Sequence, residues 1–217
     1  MTLLTRIFIF VLSAAGLVAA GDYQSELFEK TELVYEDSFD TGGLNTDFWE
    51  VRQSTTWKVK DGVLHGSQSS REFQAKKLAS DDPSHAGIKP VIWLKQLPAD
   101  FVCTMRMRYD GDAFKRGFPL LDIGHHIHTL SFADKITTLT IKKNVEKQEV
   151  ESPLFTLNTW HEVAIELKKG ILILCIDGRK HRFESPNIDM TGHSQIDFKA
   201  LDRGTCQIDH IRVWRGR

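Results

Sequence analysis

The sequence has no excess of charge of either sign. Its 28 Lys and Arg residues stand against 29 Asp and Glu residues, intermixed along the chain, for a formal net charge of −1. It therefore offers no electrostatic field for nucleic acid or for an anionic membrane surface. It also has no helical heptad, internal repeat or low-complexity segment. A neutral or mildly charged partner is expected.

Long apolar runs are missing as well. The apolar run at 7–17 is shorter than the roughly 20 residues that a membrane-spanning helix needs. Arg6 precedes this run, and the small residues at 18–20 follow it. This order predicts a secretory signal peptide over 1–20, cleaved before Gly21, rather than a membrane anchor. The mature chain is then expected outside the cytoplasm, either secreted or periplasmic, and free of the membrane.

Cysteine is scarce, with Cys103, Cys175 and Cys206 as the three examples. An odd number in a compartment that permits disulfides leaves two states open, one bridge with one thiol or no bridge. The spacing does not decide between them. Cys103 alternates in phase with Phe101 and Met105, so it is predicted to act as a small core residue.

The fold signal is a series of short alternating runs separated by turn residues. Asp61-Gly62 lies between two such runs within residues 57–66. This pair favours a type I′ hairpin turn, which needs positive φ at both central residues. Strand-like runs recur at spacings near 8–12 residues, which is typical of two packed antiparallel sheets. Residues 67–90 lack periodicity and are predicted to form a long irregular loop suited to binding.

The most unusual local chemistry is the segment 122–128, which holds three histidines and one aspartate. On a continuous strand, alternate side chains share a face, so Asp122, His126 and His128 are predicted to point together. Such a cluster suits a divalent metal, with the carboxylate as third ligand, or an imidazole acting as general base. The alternative is that Gly124 breaks the strand and leaves the histidines on a solvated turn.

Five further residues are candidates for gripping a substrate. Arg71 and Glu72 in the irregular segment can bind sugar hydroxyls or a uronate carboxylate, or can be two solvated charges. Arg106 and Arg108 alternate along one strand and either line a groove or face solvent. Trp57 is the tryptophan chosen as a platform for a sugar ring, whereas Trp93 is predicted to lie in the core.

Four stretches carry a family resemblance, namely Trp57-x-Val59-x-Asp61-Gly62-x-Leu64, Trp160-His161-x-Val163-x-Ile165, Ile176-Asp177-Gly178 and Ile208-Asp209-His210-Ile211-x-Val213-Trp214. Together they resemble concanavalin A-like lectin and glucanase jelly-roll domains. The group most similar is the secreted 3-keto-disaccharide hydrolase domain, which is family 16 glycoside hydrolase-like. The resemblance runs from about Leu33 to Trp214. It implies an all-β jelly-roll domain over 33–217, preceded by a lead-in at 21–32.

The resemblance also implies a reaction. A base would remove the proton next to a keto group of a modified disaccharide, and a cation or histidine would stabilise the enolate. Family 16 endoglucanases instead use a strand motif Glu-x-Asp-x-x-Glu for retaining hydrolysis. That motif is absent from the chain, so hydrolysis by that machinery is disfavoured. Domains of this kind often bind a structural calcium, and Asp37 and Asp209 match the acidic positions for it.

Two functions from different classes follow. The first is a carbohydrate-active enzyme that breaks a glycosidic bond with Asp122, His126 and His128. The second is a lectin-like module that binds glycan without catalysis. A structural envelope protein with no sugar chemistry is the third alternative. Oligomeric state is left open.

Overall fold

The computed structural model describes residues 23–29, 31–142, 145–151, 154–190 and 193–217. The predicted signal peptide at 1–20 lies outside these ranges. Within them the chain forms fifteen strands and one helix. That helix is not long and apolar enough to cross a membrane.

The elements in chain order are β1 (Thr31–Asp37), β2 (Trp49–Val51), β3 (Thr56–Lys60), β4 (Val63–Ser67), α1 (Arg71–Leu78), β5 (Val91–Lys95), β6 (Phe101–Asp110), β7 (Leu120–Ile123), β8 (His128–Phe132), β9 (Ile136–Ile141), β10 (Glu146–Glu151), β11 (His161–Lys168), β12 (Ile171–Ile176), β13 (Arg179–Glu184), β14 (Gln195–Lys199) and β15 (Thr205–Gly216). Sheet A has the order β13-β12-β11-β6-β15-β4-β3, with β1 also paired to β15. Sheet B has the order β10-β9-β8-β7-β14-β5-β2. All the pairings are antiparallel, as the two-sheet prediction requires.

The predicted hairpin is present as β3 and β4. Asp61 and Gly62 join the strands with φ angles of 51° and 73°, both in the left-handed region that a type I′ turn uses. Lys60 pairs with Val63 on either side of the turn. The turn chemistry read from the sequence is therefore confirmed.

The core lies between the inner faces of the two sheets. Strand β6 shows the alternation most clearly, because one face is fully buried in the core and consists of Cys103, Met105, Met107 and Tyr109. Its other face, which includes Arg106 and Arg108, points to the outside of sheet A. The cysteines are all buried and free, so no disulfide links them. This is the second of the two states that the sequence left open.

A segment at the N-terminal end covers part of the outer face of sheet A. We call residues 23–29 the N-terminal strap. It surrounds Glu166 of β11, which is fully buried. The carboxylate accepts hydrogen bonds from the Tyr23 hydroxyl at 2.5 Å, from the Ser25 hydroxyl, and from the backbone N–H groups of Glu26 and Leu27 at 3.0 Å each. Burial alone would raise the pKa of Glu166, but these hydrogen bonds together outweigh it and lower the pKa.

The irregular loop predicted for residues 67–90 contains a helix instead. Ser70 caps α1 by accepting a hydrogen bond from the Phe73 backbone N–H at 3.1 Å. None of the residues in α1 is buried. The helix therefore has no apolar stripe for a periodicity argument to find, and it depends on its cap and on residues of good helix propensity.

Candidate active site

Two aspartates face each other at the centre of sheet B. Asp122 of β7 and Asp197 of β14 are cross-strand partners. The residues next to each of them, such as Leu121 and Phe198, point into the core. Both carboxylates therefore lie on the outer face of the sheet, yet their side chains are only 2% and 0% exposed. They are covered by other side chains rather than open to a ligand.

The cover comes from the turn between β7 and β8. Ile123 pairs with His128, so residues 124–127 form a four-residue connection. Gly124, His125 and His126 have φ angles of 77°, 52° and 69°. Three successive left-handed residues fold the turn back over the outer face of sheet B. For the two histidines this backbone is unfavourable, and such conformations concentrate at functional sites.

Each of these histidines lies against one of the buried aspartates. His125 Nδ1 is 2.8 Å from Asp197 Oδ2, and His126 Nδ1 is 3.1 Å from Asp122 Oδ2. Only the first of these contacts is a hydrogen bond, which keeps the proton of His125 on Nδ1 and leaves its Nε2 with a lone pair, whereas Asp122 acts on the His126 ring through its charge. The imidazoles are 32% and 58% exposed. The site is thus a pair of Asp-His dyads, each with a buried carboxylate and an accessible ring.

Lys199 of β14 completes the charge arrangement. Its ammonium contacts Asp122 Oδ2 and lies 3.5 Å from Asp197 Oδ2. Thr129 donates to the other oxygen of Asp122, and Gln195 donates to Asp197 Oδ1 at 2.6 Å. Both carboxylates are therefore fully engaged, which explains how they can be buried without a large energetic penalty.

His126 is electrostatically suited to act as a base. Burial lowers its pKa, and the positive charge of Lys199 lowers it further, outweighing the opposite effect of Asp122. The ring is therefore neutral at pH 7. A neutral imidazole that is more than half exposed can accept a proton from a bound molecule.

The two imidazoles open into a cleft of about 870 Å³. Trp93 of β5 lies on the same outer face and meets the His125 ring edge-on, with centroids 4.8 Å apart. Arg52 covers the Trp93 ring at 3.9 Å. Among the described residues that line the cleft, none is Asp or Glu. An indole with hydrogen-bond donors around it suits the apolar face and hydroxyls of a sugar ring.

His128 does not join the cluster, so the prediction that Asp122, His126 and His128 share a face is wrong. His128 is fully buried, and its Nε2 contacts the backbone oxygen of Asp189 at 2.8 Å. The prediction assumed a continuous strand, whereas the turn at 124–127 breaks the alternation. The alternative that Gly124 interrupts the strand is the one that the structure shows.

The two arginines of β6 that were predicted to bind a substrate also lie away from the cleft. Arg106 and Arg108 are on the outer face of sheet A, on the opposite side of the sandwich. Arg106 pairs with Asp209 at 3.1 Å, and Arg108 pairs with Asp110 at 2.5 Å. Both side chains are therefore held in ion pairs, and they do not line a groove.

Arg71 and Glu72 belong to α1 rather than to an irregular loop. Arg71 lines a separate hollow, whereas Glu72 is exposed and lines neither that hollow nor the cleft. The residues of α1 that do reach the cleft are Phe73 and Lys77.

The roles predicted for two tryptophans are reversed. Trp57 is 9% exposed and belongs to the core, where its ring lies over Gly66, and a Cβ added there would be 2.4 Å from the indole. Its Nε1 donates to Thr55 Oγ1 at 3.1 Å. Trp93, predicted to be core, is the tryptophan that lines the cleft. Both lie on short strands, and only the sheet pairing reveals which face is inward.

The residues predicted to hold calcium are engaged by other groups. Asp37 accepts hydrogen bonds from the Tyr35 hydroxyl and the Phe39 backbone N–H, both at 2.8 Å. Asp209 is held by Arg106 and by His210 Nδ1 at 2.6 Å. Within the described ranges, no group of three or more His, Cys, Asp or Glu side chains is arranged to hold a metal. The residues thus do not fit a cation in this arrangement, and a metal here or at the histidines stays a prediction.

Sequence reasoning missed Asp197, Lys199 and the role of His125. The signal for the first two was present in β14, where Gln195, Asp197 and Lys199 alternate with apolar residues. Polar residues that alternate with apolar ones in an antiparallel strand indicate the outer face of the sheet, which is where Asp197 and Lys199 lie. The pairing of β14 with β7 joins positions more than 70 residues apart, and no local pattern predicts it.

The two antiparallel sheets, packed on one core with a cleft over the outer face of sheet B, define a concanavalin A-like jelly roll. No protein family model matches the chain, and no curated protein matches it in sequence. Solved structures do match. A non-specific endo-β-1,3(4)-glucanase from glycoside hydrolase family 16 has 14% identity and a TM-score of 0.58, covering 87% of this chain and 92% of its own.

Two further structures are similar over most of the chain. The GlcNAcα1-4Gal releasing endo-β-galactosidase from Clostridium perfringens has 13% identity and a TM-score of 0.60, covering 90% of this chain and 66% of its own. LamA from Z. galactanivorans, solved with laminaritriose and laminaritetraose, has 12% identity and a TM-score of 0.55, covering 87% and 100%. At these identities the likeness establishes the fold, as the sequence predicted.

Proposed function

We propose that the protein is a carbohydrate-active enzyme that breaks a glycosidic bond by elimination, with His126 as the base. The single observation that carries this proposal is the pair of exposed imidazoles over two buried carboxylates. Hydrolysis through a carboxylate nucleophile needs a carboxylate that reaches the sugar. Asp122 and Asp197 are covered and engaged, so the reactive groups of this cleft are the imidazoles.

The reaction requires a sugar carbon whose proton is acidified by a neighbouring carbonyl group. In a 3-keto disaccharide, the substrate that the family resemblance implies, this is the C2 proton. His126 Nε2 takes that proton, the C2–H electron pair forms the C1=C2 double bond, and the C1–O glycosidic bond breaks. The leaving oxygen takes a proton from water in the cleft, and the Lys199 ammonium stabilises negative charge on the carbonyl oxygen.

The test uses a readout that only elimination produces. Elimination leaves a double bond conjugated to a carbonyl group, which absorbs ultraviolet light, whereas hydrolysis yields only new reducing ends. We expect 3-keto disaccharides incubated with the protein to develop this absorbance. New reducing ends without the absorbance would overturn the elimination mechanism.

The matched variants are His126→Asn and His210→Asn. Asparagine tolerates the left-handed backbone that both histidines adopt, at φ 69° and 47°. His210 is likewise bonded to an aspartate through Nδ1, but it lies on sheet A. We expect His126→Asn to reduce turnover by about a hundredfold or more, as loss of a general base does. His210→Asn should retain full activity. An equal loss of turnover in the two variants would rule out His126 as the base.

A lectin-like module is the second candidate. The observation that favours it is the same cover over both aspartates, together with the Trp93 indole and the Arg52 guanidinium stacked on it, which both line the cleft. A lectin-like module should bind glycan without producing either the ultraviolet absorbance or new reducing ends. The His126→Asn variant should then bind glycan as well as the wild type does. Formation of product that depends on His126 excludes it.

Secretion is also proposed, on the signal peptide predicted from residues 1–20. Expression of the full chain with its leader and N-terminal sequencing of the protein outside the cytoplasm tests this. A mature protein beginning at or near Gly21 is expected, and retention of Met1 in the cytoplasmic fraction would contradict it.

A further inference from the structure

A second hollow lies on the other side of α1 from the cleft. Phe73 and Lys77 of this helix line the cleft, whereas Arg71 and Gln74 line the hollow, which has a volume of about 630 Å³. A helix with its side chains is about 10 Å across. The two spaces are therefore close enough for one oligosaccharide to reach both.

The hollow is lined by two arginines that have no acidic partner. Arg71 and Arg203 are exposed, and within the described part of the chain neither side chain takes part in an ion pair or hydrogen bond. The cations of the cleft differ, since each has a carboxylate partner: Arg52 with Glu50, Lys77 with Asp82, Lys89 with Asp202, and Lys199 with Asp122. No Asp or Glu is among the described residues that line the hollow. Its positive charge is thus available to a ligand.

Local structure does not account for either arginine. Arg71 is the first residue of α1, where a cation is unfavourable because the helix dipole is positive at that end. Arg203 has a φ of 60°, which favours glycine or asparagine, and its backbone N–H is fixed by a hydrogen bond to Ile88 O at 3.0 Å. Non-glycine residues held in this region are often functional.

Amide groups beside the arginines provide sites for hydroxyls. Gln74 Nε2 donates to Gln68 Oε1 at 3.1 Å and to Ser69 O at 2.9 Å. This leaves the Gln68 amide N–H groups and Gln74 Oε1 for a ligand. Guanidinium groups with nearby amides suit a charged sugar better than a neutral one.

We propose that this hollow is an anion subsite, which binds a carboxylate or sulfate on a sugar next to the one in the cleft. The inference rests on the proposed function and specifies its substrate class as an acidic glycan. Arginine binds both of these anions through two parallel hydrogen bonds, so a polyuronate and a sulfated glycan share the recognised chemistry.

The experiment measures binding rather than turnover, with three probes of matched length: an oligouronate, a sulfated galactan oligosaccharide, and a neutral laminari-oligosaccharide. Calorimetry on the wild-type protein should show one of the acidic probes binding about tenfold or more tightly than the neutral one. The preference should shrink as sodium chloride screens the charges. The stronger acidic probe identifies the anion as carboxylate or sulfate.

The decisive variant is the double substitution Arg71→Ala with Arg203→Ala. Its control is Arg116→Ala with Arg179→Ala, two arginines that are also exposed and without an ion pair within the described residues but do not line the hollow. We expect the first double variant to lose the preference for the acidic probe with unchanged affinity for the neutral probe, and the control to keep both. An unchanged preference in the first variant, or equal binding of all three probes to the wild type, overturns the subsite.

The two proposals fail in different ways. If the three probes bind equally well and a 3-keto disaccharide is cleaved by a His126-dependent elimination, the anion subsite is wrong and the proposed reaction stands. If acidic probes bind through Arg71 and Arg203 but no probe or 3-keto disaccharide gives product, the subsite stands and the enzymatic proposal is wrong.

Discussion

The imidazole of His126 and the carboxylate of Asp122 are joined across a single tight turn, with Nδ1 3.1 Å from Oδ2. The carboxylate is buried, whereas the ring is more than half exposed. Asp122 therefore does not meet a ligand itself, but its negative charge acts on the group that does. It is a positioning residue, and its effect should be visible in the titration of the ring.

Asp122→Asn should lower the pKa of His126 further. Burial and Lys199 lower this pKa, and the negative charge of Asp122 opposes them. Asparagine removes that negative charge and keeps almost the same size and shape, so the pKa-lowering effects are no longer opposed. The measurement is an NMR titration of the His126 ring, and in the enzyme the acid limb of the pH profile of kcat/KM should move to lower pH.

A control for this titration exists on sheet A. His161 Nδ1 lies 2.6 Å from Asp177 Oδ2, an Asp-His pair remote from the cleft. Asp177→Asn should leave the His126 titration and the acid limb unchanged. An upward shift of either in Asp122→Asn would show that the electrostatic account of the dyad is wrong.

Glu166→Gln should destabilise the fold by about 3 kcal/mol, because it replaces charge-assisted hydrogen bonds in a buried position and turns an amide N–H₂ toward other donors. Urea unfolding at pH 7 measures the loss. Glu149→Gln, on an exposed position of β10, should change the free energy of unfolding by less than about 0.5 kcal/mol.

The same pair of variants gives a pH dependence with a defined sign. The pKa of Glu166 is lowered from its usual value of 4.5 by folding. Its contribution is therefore complete above pH 4.5 and is lost as the pH falls through the lowered value. The gap between wild type and Glu166→Gln should narrow on acidification, and a gap that widens would contradict the role assigned to the strap.

His128 should make the protein less stable in mild acid. Burial lowers its pKa from 6.5, so the unfolded chain binds a proton that the folded chain resists. Stability from this group is complete above pH 6.5 and is lost progressively below it. His128→Gln, which keeps a neutral hydrogen-bonding group, should reduce the drop in unfolding free energy between pH 7.5 and about 5.5, and an unchanged drop would contradict the role of His128.

The three thiols should be unreactive in the folded protein. Cys103 and Cys206 are fully buried, and burial raises the pKa of both thiols. Thiolate is the reactive form, so both depth and pKa protect them. Titration with a thiol reagent should find none in the native state and three after denaturation without reductant. Fewer than three after denaturation would reveal a disulfide.

The fold could be predicted from the turn residues and from the alternation of apolar and polar residues. Much less of the site could be predicted. Asp61-Gly62 and the buried phase of β6 follow from local rules, because positive φ and a period of two are properties of neighbouring residues. The site depends on which strands lie side by side. Asp197 meets His125 only because β14 pairs with β7, and that contact is set by packing far apart in the chain.

The residues whose predicted positions are wrong show the same limit of local sequence patterns. His128 was grouped with His126 by strand periodicity, but left-handed backbone at 124–126 changes the direction of the chain between them. Trp57 alternates with polar residues and points into the core, whereas Trp93 lies between apolar residues and yet points to the outer face. A period-two pattern gives the alternation of faces but not which face is covered, unless one face is plainly polar.

The N-terminal strap fixes the position of Tyr23 relative to the cleft. It holds the chain near Tyr23 against the outer face of sheet A through Glu166, while the cleft opens on sheet B at the other side of the sandwich. A tag fused directly to Tyr23 would therefore be attached on the face of the domain that lies away from the cleft.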